Sequence, residues 1–236
     1  MRGASLVAVA VLASACSAPP SAPEPVASPT APASPAPSAE PVADARISRI
    51  PDHQWKAMQR AGVVRAGCPM TRRDLRRVQV NFHTFDRSVD RGTLVVNRDV
   101  AREVAAIFTD IFRSGFPIRK MRPMEKYDGD DNASMADDNT SAYNCRDASQ
   151  ANSNAYDSPH ANGRAVDINP RENPWWDPRC QCFMPTSRDA ARTPGKGKIL
   201  RNGDVWRAFT RRGWIWQDLP TADYQHFDTG YPSRPR

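Results

Sequence analysis

A chain of 236 residues has room for one or two domains, but 22 prolines, crowded toward one end, exclude a packed core along its whole length. The formal charge of +7 and a pI near 9.5 would, in a cytosolic protein, raise nucleic acid as a partner. The first forty-five residues argue against that setting.

Residues 1–15 read as a secretory signal. A small, apolar run from Ala4 to Ala15 follows the single basic residue Arg2 and is too short to span a membrane. Two cleavage readings stand side by side. Ala13-Ser14-Ala15 satisfies the ordinary small-residue rule, while "LASAC" (Leu12 to Cys16) resembles a bacterial lipoprotein box, in which Cys16 is lipidated and becomes the new N-terminus. The second accounts for a cysteine at that place and predicts a membrane-anchored lipoprotein; the first predicts a secreted protein. Residues 16–45 hold nine of the prolines among Ala, Ser and Val, a composition that cannot offset ordering entropy. They are expected to form a disordered tether, extended at roughly 3 Å per residue where it is polyproline-like. Export argues against nucleic acid as a partner. Removing Cys16 to lipid leaves Cys68, Cys145, Cys180 and Cys182, an even set for which disulfides are expected and three pairings stay open.

Residues 46–236 carry all the Trp, Tyr and Phe without internal repeat, and read as one domain. The basic cluster "TRRDLRR" (Thr71 to Arg77) is expected to be a solvated face, with attraction to an anionic cell wall as a secondary role. "RRVQVNFHTF" alternates Val78, Val80 and Phe82 against polar neighbours, as a half-buried strand does, and "GTLVVN" (Gly92 to Asn97) reads as its hairpin partner. Val100, Val104, Ile107, Phe108, Ile111 and Phe112 then fall on one helical stripe, opened by Asn97 or Asp99 and closed by Gly115. "FPIRKM" (Phe116 to Met121) is expected to return as a strand, and "DGDDNASMADD" (Asp128 to Asp138) as a mobile flap or loop without EF-hand spacing. In "RAVDIN" (Arg164 to Asn169), Val166 and Ile168 point one way, Ala165 and Asp167 the other. "NGDVWRAFTRRGW" predicts a short helix with Val205, Trp206 and Phe209 inward, and "WIWQ" and "YQHFDT" predict two closing strands. The mixture, without regular βαβ alternation, is that of an α+β fold with an antiparallel sheet.

Several hydrolytic chemistries are excluded by missing motifs: there is no HExxH, no GxSxG and no SxxK. What remains is His160 in the Pro/Asn/Gly turn of "DSPHANGRAVDINP", Asp167 on the polar face of the strand behind it, and His226 in "DYQHF". Two imidazoles and a carboxylate are the three N/O ligands of a catalytic zinc site with one open position, and Asp223, three residues before His226, is then the base for a water proton. A lone turn histidine is weak evidence for metal; the set of four is much stronger.

These residues carry a resemblance. "SPHANGRAVD" (Ser158 to Asp167) matches the S-x-H-x-x-G-x-A-x-D pattern of the M15 metallopeptidases, the D-alanyl-D-alanine carboxypeptidase and VanY-like family, and "DYQHF" is similar to its second ligand motif. The similarity extends through "GCPM", "FPIRKM" and "NTSAYNCR". It implies zinc held by His160, Asp167 and His226, Asp223 in the place of the catalytic acid, and an antiparallel sheet flanked by helices with the zinc on the sheet, a D-Ala-D-Ala carboxypeptidase-like or hedgehog-like fold. The implied substrates are peptidoglycan stem peptides, cut by a monomer either at the terminal D-Ala or between L-Ala and D-Glu. Two departures bear on that choice. Asp223 stands where many D,D-carboxypeptidases have Glu, which is similar to the L-alanyl-D-glutamate endopeptidase branch. Asn144 fills a slot where relatives carry Arg, so Arg146 is expected to supply the positive charge for a substrate carboxylate or the oxyanion, with an ordinary surface Arg as the alternative; Ser158 either positions substrate, supports His160 or caps the turn. Two further classes stay open: a wall-binding lipoprotein that keeps its zinc without cutting, and a disulfide-stapled adhesion or scaffolding domain with no metal.

Overall fold

Val78, Val80 and Phe82 are buried along β2 (Leu75–His83) while the residues between them stay half exposed, the period of a strand covered on one face; Leu75, at its start, is buried on the opposite face. In the computed structural model, which describes residues 10, 41–145, 157–216 and 221–230, β2 pairs antiparallel with β3 (Val89–Asn97) from Leu75↔Asn97 to His83↔Val89, and with β1 (Arg46–Ser48) on its other edge. β3 starts earlier than "GTLVVN" and contains all of it. The chain divides by contact density at Ala39/Glu40; of the first part only Ala10 is described. Within the second part, Ala43 is already core and its carbonyl accepts the Asn81 N–H at 2.8 Å, so the folded unit reaches back past Arg46.

A nine-residue helix that composition did not single out, α1 (Asp52–Arg60), buries Met58 in a second, smaller cluster with Ile50, Val63, Leu75 and Tyr143. The main helix, α2 (Ala101–Arg113), places all six expected apolar residues in the larger core against β2 and β3. Its N-cap is Val100, without a side-chain cap, instead of Asn97 or Asp99. Asn97 is occupied elsewhere: its amide donates to the carbonyl of Asn162 at 3.0 Å.

Two expectations are corrected. "FPIRKM" forms only the two-residue strand β4 (Lys120–Met121), paired parallel with β5 (Asn139–Thr140); before it, Pro117 makes a single parallel bridge to His83. "DGDDNASMADD" contains the helix α2 is followed by, α3 (Asp131–Ala136), whose N-cap Asp130 accepts from the N–H groups of Asn132 and Ala133. An aspartate side chain satisfying those orphan donors lets a polar six-residue segment form a helix without an apolar stripe.

The second sheet has the order β6 (Ala165–Asp167), β10 (His226–Asp228), β9 (Ile215–Trp216), all antiparallel. Between β6 and β10 in sequence lie the hairpin β7 (Trp175–Asp177) and β8 (Cys182–Met184), and α4 (Asp204–Thr210). On the core side Val166, Ile168 and Phe227 join α2 and α4 in the larger cluster, with Phe227 stacked on Phe209 at 4.0 Å between centroids. In α4, Val205 and Phe209 are inward as expected and Trp206 packs half-buried at the edge. Among the described residues helices are thus mixed with mainly antiparallel sheet, as in an α+β chain, in two three-stranded and two two-stranded sheets where one sheet was expected. Of the three open pairings the disulfides take Cys68–Cys145 and Cys180–Cys182. Among the described residues no helix is long and apolar enough to cross a membrane.

Candidate metal centre

The turn that carries His160 is fixed from both ends. Asn162 N–H donates to Ser158 O, Gly163 N–H to His160 O and Arg164 N–H to Pro159 O, all at or below 3.0 Å, and the turn docks on the end of β3 through Asn97 N–H to Gly163 O at 2.8 Å. Gly163 has φ +66°, and a Cβ there would lie 2.6 Å from the Asn97 backbone nitrogen. Only glycine allows both the left-handed conformation and that approach. Arg164, buried, then pairs with Asp99.

Strand pairing supplies the other two groups. His226 stands directly opposite Asp167, and the Ile168 N–H to Gln225 O bond beside them marks a non-hydrogen-bonded pair, the kind in which facing side chains lie closest. On the neighbouring edge Asp167 exchanges both backbone hydrogen bonds with Ser141, holding the aspartate centrally. Ala165 and Asp167 share the face that His226 and Asp228 occupy, so the alternation read from "RAVDIN" aims the carboxylate away from the core and at the imidazole.

His160 Nε2, His226 Nδ1 and the Asp167 carboxylate converge. The two nitrogens are 3.0 Å apart, His160 Nε2 is 3.2 Å from Asp167 Oδ2, and His226 Nδ1 is 2.9 Å from Asp167 Oδ1. All three residues are buried, and among the described residues they form the one His/Asp cluster able to hold a metal ion. Donors around a tetrahedral ion at about 2.0–2.1 Å stand roughly 3.3 Å apart, so this set fits zinc closely. The outer hydrogen bonds fix which nitrogens face inward: His160 Nδ1 donates to Ala142 O at 2.6 Å, and His226 Nε2 donates to Asp228 Oδ2 at 3.0 Å. Each imidazole therefore turns its remaining nitrogen toward Asp167. Two lone pairs and a buried carboxylate aimed at one point repel unless a positive charge sits among them.

The electrostatics agree. Burial favours the neutral form of Asp167, but His160 and His226 hold its carboxyl well below the usual range. Burial also opposes charge on His226, yet hydrogen bonds to Asp167 and Asp228, with Asp223 adding its charge, push it up to about 10. Without metal, a proton on His226 supplies the positive charge that the site demands. A metal must displace it.

Residues 151–229 match the family profile described as D-alanyl-D-alanine carboxypeptidase, of the M15 peptidases. The matched segment is the one that carries His160, Asp167, Asp223 and His226. No curated protein and no solved structure matches the chain. The matched segment brings together His160, Asp167 and His226, and holds half-buried Asp223 next to them: the Asp223 carbonyl accepts the His226 N–H at 3.3 Å, and the Asp223 charge reaches the His226 ring.

The remaining site residues have other surroundings. Ser158 is buried and its hydroxyl accepts the Ala161 N–H at 3.4 Å, capping the turn. Asn144, also buried, donates from its amide to Gly129 O and Asp131 Oδ1, both at 2.9 Å, tying the chain before β6 to the start of α3. Arg146 and Cys16 lie outside the described residues. Asp228 was missed by sequence reasoning, although the two-residue period from His226 puts it on the ligand face. Trp175 was missed as well: it forms an isolated antiparallel bridge with Asp223.

Proposed function

We propose that the protein is a zinc-dependent peptidase of peptidoglycan stem peptides that removes the terminal D-Ala. The observation that carries this reading is the convergence of His160 Nε2, His226 Nδ1 and the Asp167 carboxylate within 3.2 Å of one another, inside the segment that matches the M15 profile. When bound there, zinc supplies Lewis-acid chemistry toward the scissile carbonyl and the attacking water. Asp223 takes the proton released as the water oxygen bonds to the carbonyl carbon. It returns that proton to the amide nitrogen as the C–N bond breaks, so one carboxylate serves both transfers. Asp228 and Ala142 O keep the two imidazoles turned inward through both. Arg146 is assigned, from its place in the sequence alone, to a substrate carboxylate or the oxyanion.

The identity of Asp223 favours a second reading, the L-alanyl-D-glutamate endopeptidase of the same family. In either case the domain is taken to work outside the cytoplasmic membrane of a bacterium, anchored by lipid on Cys16 through the tether 16–45 or secreted. Two disulfides suit such a compartment.

Mass spectrometry of pentapeptide muropeptides after incubation, with and without a chelator, tests the assignment. Loss of one alanine, abolished by chelation, is expected; release of the peptide from its first L-Ala selects the endopeptidase. Asp223→Asn should slow turnover by about 10²–10⁴-fold while keeping its zinc. Intact substrate with fully zinc-loaded protein contradicts both and leaves a wall-binding lipoprotein.

A further inference from the structure

The hairpin β7–β8 lies against the segment that carries Asp223. Trp176 N–H donates to Ala222 O at 2.7 Å and Tyr224 N–H to Pro174 O at 3.3 Å, so Trp175 and Asp223 are the opposed residues between those bonds. This is again a non-hydrogen-bonded antiparallel pair, in which side chains leave from the same face and approach most closely, with Cβ atoms about 4.5–5.5 Å apart. Across the hairpin Trp175 pairs with Met184, which therefore continues the same face. Asp223, Trp175 and Met184 form one row. The other face holds Trp176, Phe183 and Tyr224, packed on one another with Trp176–Phe183 centroids at 5.1 Å and Phe183–Tyr224 at 6.2 Å. That packing fixes which way the row looks.

Trp175 and Met184 are half-buried, so part of each apolar surface stays open beside the carboxylate. Several contacts stiffen the hairpin under them. Cys180 and Cys182 are bridged across its turn, Arg179 pairs with Asp177 at 2.7 Å, and the Arg179 guanidinium lies 5.8 Å from the Trp175 ring centroid. An aromatic ring and a thioether held at one level next to the proposed base suit a small apolar side chain on a peptide whose amide is being cut. We infer that Trp175 and Met184 form the apolar shelf that seats the alanyl side chain next to the scissile bond. This rests on the peptidase reading: the shelf positions the peptide, and Asp223 moves the proton.

The test measures kcat and KM on muramyl pentapeptide, and calorimetric binding of the same peptide, for the zinc-loaded wild type, Trp175→Ala, Trp175→Phe and Met184→Ala. Losing the shelf should raise KM and Kd about tenfold or more in Trp175→Ala and about threefold in Met184→Ala, with Trp175→Phe near wild type, kcat little changed and zinc content at one per chain throughout. Should Trp175→Ala not fold, Met184→Ala decides by the same criterion. Wild-type KM and Kd in folded, zinc-loaded variants overturn the shelf while leaving the peptidase standing. A fall in kcat at constant KM also overturns it, making Trp175 a prop for Asp223. A wild type that neither binds nor cleaves the peptide overturns both.

Discussion

β2 and β3 pair along the whole stretch from Leu75↔Asn97 to His83↔Val89 and bury Val78, Val80 and Phe82 on one side, with Leu75 and Val95 in a smaller cluster on the other, whereas β6 and β10 pair over three residues and every one of those residues is buried. The long ribbon is stabilised by apolar area, which depends on hydrophobicity and volume. In the short pair half of the buried side chains are Asp167, His226 and Asp228, whose desolvation opposes folding unless each finds a partner and the set finds a cation. Stability is thus concentrated in one sheet and chemistry in the other, with Phe227 and Val166 joining them through a shared core.

That division can be broken from either side. Phe108→Ala, under the first sheet in α2, should destabilise the protein by about 3–5 kcal/mol in chemical denaturation and leave the zinc affinity of the folded protein unchanged. A change in affinity would mean that the two sheets are coupled more tightly than the packing implies. Asp228→Asn should act mainly on the other side, weakening zinc binding by about 10–100-fold through loss of the carboxylate behind His226 and lowering the unfolding midpoint of the metal-free protein by less than Phe108→Ala does. Smaller again is Gly163→Ala: a Cβ facing the Asn97 backbone at positive φ should cost about 1–3 kcal/mol and shift His160, seen as lower stability together with weaker zinc binding.

The same contrast explains what was legible in the sequence. The period-2 run around Val78 and the helical stripe from Val100 to Phe112 are long enough for periodicity to identify β2, β3 and α2. β6 and β10 are too short for that, and their residues were found through chemistry: a histidine turn, an alternating aspartate and a second histidine. α3 was missed because "DGDDNASMADD" has no apolar stripe, although Asp130 ahead of Asn132 and Ala133 is a capping signal. The β7–β8 hairpin was missed because Pro174, Pro178 and Pro185 punctuate it and its register depends on the distant Asp223 segment. Cysteine pairing is tertiary in the same way: Cys145 meets Cys68 because its N–H reaches Val63 O, behind α1. Asp228 was within reach of the period-2 rule.

The central claim is that His160, Asp167 and His226 form a metal centre whose charge is otherwise supplied by a proton on His226. Burial opposes that proton, but hydrogen bonds to Asp167 and Asp228 and the charge of Asp223 push its pKa up to about 10, so over the pH range below it zinc must displace one proton. The direct measurement is calorimetric titration of zinc into chelator-stripped protein at pH 7 and pH 8 in buffers of different ionisation enthalpy. One ion per chain, bound about tenfold more tightly at the higher pH with about one proton released, is the expected result. Substoichiometric binding, or an affinity that His226→Ala leaves unchanged, would contradict the account.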